Sequence, residues 1–176
     1  METALIIIDV QNSIVSNEIS PICDLDCILG NIEFLLQKAR TAQVPVFFIQ
    51  HTSTTREGFI EGSQGWQIND QVKPLKNEFI IKKKVCDSFH ETTLSAELKK
   101  LRIAHLVIAG FKTEMCIDTA CRRAFTLGYK TTLIEDAHST SDNTVLMAKQ
   151  IIEHHNLTLA KSFVRLSKTN NITAFN

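Results

Sequence analysis

Apolar positions along the chain follow two alternating rhythms. Short continuous runs rich in β-branched residues recur at positions 5–8, 44–49, 79–81, 105–109 and 130–134, with a weaker one at 162–166. Runs of this length without polar alternation read as strands buried on both faces. Between them apolar residues recur at helical spacing. Leu25, Ile28, Leu29, Ile32, Leu35, Leu36 and Ala39 form a stripe within 24–42, with Asp24 as its expected cap. Leu94, Leu98 and Leu101 do the same in 93–101, and a further helix runs over 114–127 to a terminating Gly128. Val145, Ala148, Ile151 and Ile152 place the inward face of a last helix within 142–155. Strand and helix in alternation predict an α/β fold: three layers, α/β/α, around a mainly parallel, doubly wound sheet of about six strands. Residues 52–70 break the rhythm with a long polar, glycine-containing segment of the kind used for lids or binding loops.

No repeat, low-complexity tract or linker divides the chain, so residues 1–176 are expected to form a single domain. Lys plus Arg equals Asp plus Glu, at 19 each, which argues against a general affinity for nucleic acid or an anionic membrane. No apolar run reaches bilayer length, and the opening Met1-Glu2-Thr3 lacks the basic region of a signal peptide. The five cysteines are odd in number and unpaired in spacing. A reduced, cytoplasmic location is the expectation. The first strand is not followed by G-x-G-x-x-G, and no phosphate-binding loop is present, so no nucleotide cofactor is expected.

The chemistry concentrates at strand ends. All carboxyl ends of a parallel sheet face one rim. Asp9 follows the first strand, Lys83 follows the third, and Cys116 opens the helix after the fourth. Thr113 suits the N-cap of that helix, and a thiol in its first turn would ionise more easily. Singly, each residue has an ordinary reading: a turn aspartate, a solvated lysine, a small buried hydrophobe. An acid, a cation and a thiol on one rim make a nucleophilic site.

The stretches Ile6-Ile7-Ile8-Asp9-Val10-Gln11, Lys83 to Phe89 with Thr92 and Leu94, and Gly110-Phe111-Lys112-Thr113-Glu114-Met115-Cys116 resemble the isochorismatase-like cysteine hydrolases. So do Gly128-Tyr129 and the Glu135-Asp136-Ala137-His138-Ser139-Thr140 segment. The resemblance implies Cys116 as nucleophile, Asp9 as general base and Lys83 as the cation that supports both. It also implies a non-proline cis peptide at Phe111–Lys112 and an oxyanion hole from the Lys112 and Cys116 backbone N–H groups. The activity implied is cleavage of a small-molecule C–N bond (amide, carbamoyl or ureido) through a thioester. The alternatives are an isochorismatase-type vinyl ether hydrolase and a non-catalytic binding or scaffold protein of the same fold. Of three consecutive lysines, the spacing to Phe89 in the family pattern selects Lys83, and strand alternation keeps Lys82 and Lys84 off its face.

Nicotinamidases of this superfamily carry a metal-binding Asp-x-His at the second strand end. Here the stretch is Ile49-Gln50-His51, and 52–59 contains no histidine, so no metal and no cofactor are expected. Candidate substrate contacts are Gln11, His51, Trp66 and Phe89; Asp136 and His138, on the same rim, either bind substrate or orient their loop. The expected partner is a small-molecule substrate, and the resemblance implies a homodimer or homotetramer.

Overall fold

The computed structural model describes residues 2–172. Its centre is one six-stranded parallel sheet in the order β3-β2-β1-β4-β5-β6. The strands are β1 (Glu2–Ile8), β2 (Val46–His51), β3 (Phe79–Lys83), β4 (Ile103–Phe111), β5 (Lys130–Ser139) and β6 (Arg165–Ser167). The helices are α1 (Asn12–Val15), α2 (Leu25–Thr41), α3 (Leu94–Lys100), α4 (Asp118–Thr126) and α5 (Ala148–Ala160). Among the described residues no helix is long and apolar enough to cross a membrane.

The alternation of side chains along β1 divides the core in two. Ala4, Ile6 and Ile8 pack with Leu94 and Leu98 of α3, Ala120 and Ala124 of α4 and Leu159 of α5. Leu5 and Ile7 face the other way, onto Ile32, Leu35 and Leu36 of α2. Each such side chain withdrawn from water contributes roughly 1.5–3 kcal/mol. The three-layer architecture follows from these two faces.

Strand order runs outward from β1 to β3 in one direction, then from β4 to β6 in the other. The reversal falls between β1 and β4, and ligands of doubly wound sheets gather in the crevice beyond such a point. β1 and β4 approach closely there. Gly110, paired with Ile8, has φ +123°, and a Cβ on it would sit 2.1 Å from the Ile8 carbonyl oxygen. Only glycine fits that position.

Three local expectations are corrected. The last helix begins at Ala148 rather than near 142, and Val145 is exposed. Asn143 Oδ1 accepts the Val145 and Leu146 N–H groups at 2.8 Å each, and Asp142 Oδ1 accepts that of Ala148 at 2.7 Å. Those side chains give the backbone an alternative to helix. Asp24 precedes α2 but has a left-handed φ of 52° and makes no side-chain cap. Thr113 does not cap either; its hydroxyl is committed to His138.

Candidate active site

Asp9 leaves β1 with φ 53°, a left-handed conformation that aspartate tolerates better than most residues. Its N–H donates to the Ile49 carbonyl at 2.9 Å, which fixes the turn against β2. Lys83 ends β3. Alternation buries Ile81 and Lys83 and leaves Lys82 and Lys84 exposed, Lys82 in an ion pair with Glu61. The Lys83 side chain spans the end of β2, and its Nζ lies 2.9 Å from Asp9 Oδ2. The two side chains are 0% and 2% exposed. Nζ also donates to the Cys86 carbonyl at 3.2 Å. Asp9 Oδ1 is buried without a hydrogen-bond partner.

Cys116 arrives from β4 through a cis peptide at Phe111–Lys112 and a single wide π-helical turn, Thr113–Ile117, which leads into α4. The Lys112 carbonyl accepts the N–H groups of both Met115 and Ile117, at 3.1 and 3.2 Å. Such turns recur at functional sites because the extra residue re-aims a side chain. The Lys112 N–H finds no acceptor among the described residues.

The charges act on one another. Burial alone would lower the Lys83 pKa, but the Asp9 carboxylate and the thiol more than offset it, and it stands above the ordinary lysine value. Burial pushes the Cys116 thiol up, the Asp9 carboxylate adds to that, and the Lys83 ammonium pulls against both without reversing them. Burial and the Asp9 carboxylate thus act against the acidity expected from a position at the start of a helix.

A cavity of about 140 Å³ opens on Asp9 and Cys116, walled by His51, Arg56, Phe59 and Lys112. Clefts of about 650 and 500 Å³ exist elsewhere, but neither holds the Asp9 and Cys116 pair. His51 is half-buried, edge-on to the Phe59 ring at 5.2 Å; burial first, then Lys83 and Arg56, lower its pKa. Gln11, Trp66 and Phe89 do not line this cavity. Gln11 is fully buried, and its amide exchanges hydrogen bonds with the His51 backbone and donates to the Trp66 carbonyl at 2.8 Å. Trp66 anchors the 52–70 segment: its carbonyl also accepts from Gln50 at 2.9 Å, and its indole N–H donates to Thr52 Oγ1 at 3.0 Å. Phe89 is buried in the core cluster that includes Cys116, stacked on Tyr129.

Arg56 and Phe59, with Ile14, Cys86 and Met115, are wall residues that sequence reasoning missed. The available signal was that Arg56 is the lone cation of the 52–70 segment. His138 is fully buried and bridges two elements: Nδ1 lies 2.9 Å from Thr113 Oγ1 and Nε2 lies 2.9 Å from Asn156 Oδ1 of α5. Burial lowers its pKa to about 4. Asp136 accepts from the Thr169 N–H and hydroxyl at 2.8 Å each, holding the segment after β6. Among the described residues no group of three or more His, Cys, Asp or Glu could hold a metal ion.

Asp9, Lys83 and Cys116 thus come together near the switch point of a doubly wound parallel sheet, as nucleophilic hydrolases on such sheets require. The isochorismatase domain matches residues 3–161, and the chain belongs to that family. It is 33% identical over 143 residues to an uncharacterized isochorismatase family protein, YddQ, of Bacillus subtilis, covering 80% of this chain and 79% of that one. It is 31% identical over 139 residues to streptothricin hydrolase of Streptomyces noursei, covering 79% of this chain and half, 50%, of that longer protein. A crystal structure of an isochorismatase family protein superposes with a TM-score of 0.89 at 31% identity, covering 94% of this chain and 98% of the other.

Proposed function

We propose that this protein is a cysteine amidohydrolase that cleaves the C–N bond of a small amide, carbamoyl or ureido compound through a thioester. One observation carries the reading: a buried Lys83–Asp9 pair at 2.9 Å, with Asp9 and Cys116 opening on the same small cavity. In the first step Asp9 accepts the thiol proton as sulfur attacks the acyl carbon. Lys83 offsets the charge that develops on sulfur. The carbonyl oxygen becomes an oxyanion, received by the Lys112 and Cys116 backbone N–H groups. Asp9 then passes its proton to the departing nitrogen, the C–N bond breaks, and ammonia or an amine leaves. Water attacks the thioester with Asp9 again taking a proton, and the acid product departs as the Cys116 thiol re-forms.

A nitrogen leaving group needs that proton, which suits an acid–base residue able to work in both directions. Ile49 stands where the related nicotinamidases place a metal-binding aspartate, and its apolar, buried side chain offers a metal no ligand atom. The reading is accordingly metal-independent. The test is an ammonia-release screen over nicotinamide, carbamoyl, ureido and short aliphatic amides, with Cys116→Ala as control. Release that depends on Cys116 and survives excess chelator is expected. Release that persists in Cys116→Ala, or chelator loss restored by Zn²⁺, would overturn the proposal.

A further inference from the structure

Two cations border the cavity with no carboxylate to answer them. Arg56 reaches it from the 52–70 segment and Lys112 from the residue after β4; both share the space onto which Cys116 opens. The Arg56 guanidinium lies 4.5 Å over the Phe59 ring. Lys112 Nζ donates to Ser141 Oγ at 3.0 Å. Neither makes an ion pair with a carboxylate among the described residues. The remaining charge at the site cancels, because Asp9 and Lys83 neutralise one another at 2.9 Å. Burial lowers the His51 pKa; the Asp9 carboxylate opposes this, and the Lys83 and Arg56 charges add to it. Burial lowers the Lys112 pKa; Glu114 opposes this from beyond ion-pairing distance, and Arg56 adds to it. Arg56 and Lys112 therefore act on each other as like charges, and an anion entering between them would relieve that repulsion.

From this arrangement we infer that the substrate is a small amide bearing a carboxylate, which Arg56 and Lys112 receive while the amide carbonyl stands at Cys116. The inference rests on Cys116 being the nucleophile. Size agrees with it: a cavity of ~150 Å³ accommodates a benzene-sized molecule, and this one is about 140 Å³. A monoamide of a short dicarboxylic acid has that bulk. Arginine suits the role, because its planar fork matches a carboxylate with two parallel hydrogen bonds.

Iodoacetate and iodoacetamide form a matched pair for the test: same size, same leaving group, one anionic and one neutral. Their alkylation rates at Cys116 are measured by peptide mass spectrometry at one alkaline pH. The exposed Cys27 is the internal reference. Taking the ratio of the two reagents cancels any effect of Arg56 on the thiol itself. The iodoacetate-to-iodoacetamide ratio at Cys116 should exceed that at Cys27 by ~10-fold or more, the scale of a charge-assisted hydrogen bond. Arg56→Met should bring it down to the Cys27 ratio, and Lys112→Met part of the way. A Cys116 ratio equal to or below that of Cys27 sinks the carboxylate subsite and leaves the nucleophile standing. A Cys116 inert to both reagents sinks the nucleophile and this inference with it. As a second arm, kcat/KM for a dicarboxylate monoamide should exceed that for its methyl ester by a similar factor, and Arg56→Met should abolish the preference; equal values for the two substrates count against the subsite.

Discussion

Removing Lys83 tests the electrostatic core of the site directly. Lys83 Nζ and Asp9 Oδ2 are 2.9 Å apart with both side chains out of water, and at an effective dielectric of ~20 unit charges at that separation attract by ~6 kcal/mol. Desolvation costs several kcal/mol per ion and consumes most of this. The net worth of the pair is small, whereas leaving one member alone is costly. Lys83→Met keeps the bulk of the stem and strands a buried carboxylate, which should destabilise the fold by ~3–5 kcal/mol. Asp9→Asn strands the ammonium at similar cost, softened by the bond Lys83 keeps to the Cys86 carbonyl. The double variant Asp9→Asn/Lys83→Met has no buried charge at this position and should lie within ~2 kcal/mol of the parent. Urea unfolding of all four proteins closes the cycle, with a coupling of several kcal/mol expected. Turnover should fall ~100-fold or more in every variant, because stability recovers in the double variant while the base does not. If the double variant is as unstable as the sum of the two singles, the pair is not a coupled unit and the account of Lys83 is wrong.

Three further outcomes follow from the geometry. Because burial and the Asp9 carboxylate raise the Cys116 thiol, its alkylation by iodoacetamide should keep accelerating above pH ~9; a plateau near neutrality would mean a resident thiolate. Gly110→Ala places a methyl 2.1 Å from the Ile8 carbonyl oxygen at a φ of +123°, and should cost ~4 kcal/mol or more of stability with failure to accumulate folded protein; a normally folded variant would refute the close approach of β1 and β4. His138 is held neutral, its pKa lowered from 6.5 to about 4, so on acidification the unfolded chain takes up a proton that the native one refuses. Stability should fall by up to ~3 kcal/mol as pH drops from about 6.5 towards 4; His138→Gln should lose that part of the slope in urea unfolding across pH, and an unchanged slope would rule His138 out as its source.

Strand placement was legible because a period of two and a run of β-branched residues depend only on near neighbours. The same logic extended to the rim: a parallel sheet aligns its carboxyl ends, and alternation keeps Lys83 off the face of Lys82 and Lys84, although the family spacing to Phe89 was needed to choose it among the three. What escaped was decided by partners distant in sequence. Thr113 carries the chemistry of an N-cap, yet its hydroxyl bonds His138, 25 residues on. Released from capping, the segment turns through a π-helical loop. Val145 has helical spacing with Ala148 and Ile152, but the side chains of Asp142 and Asn143 take the local N–H groups first. Arg56 and Phe59 enter the cavity wall only because the 52–70 segment is pinned elsewhere, by Trp66 hydrogen bonds to Gln11, Gln50 and Thr52. A lone tryptophan drew attention in the sequence, and its structural work is to hold the residues beside it in place.

The thiol shows how magnitudes decide between two sound arguments. A helix N-terminus favours a thiolate by roughly 0.3–1 kcal/mol, rarely ~2. Burial can move a pKa by as much as 3–5 units, several times more. At Cys116 burial and the Asp9 carboxylate outweigh the Lys83 ammonium, and the thiol is pushed up rather than made acidic. In the proposed reaction this makes the unpartnered Oδ1 of Asp9 the point on which turnover depends. Lys83 engages Asp9 Oδ2 at 2.9 Å, and Oδ1 is left uncommitted to receive the proton of the nucleophile. In the proposed reaction a thiol deprotonated only on attack reacts with a carbonyl already held between the oxyanion donors and the cations of the wall, where a free thiolate would react with any electrophile in the cavity.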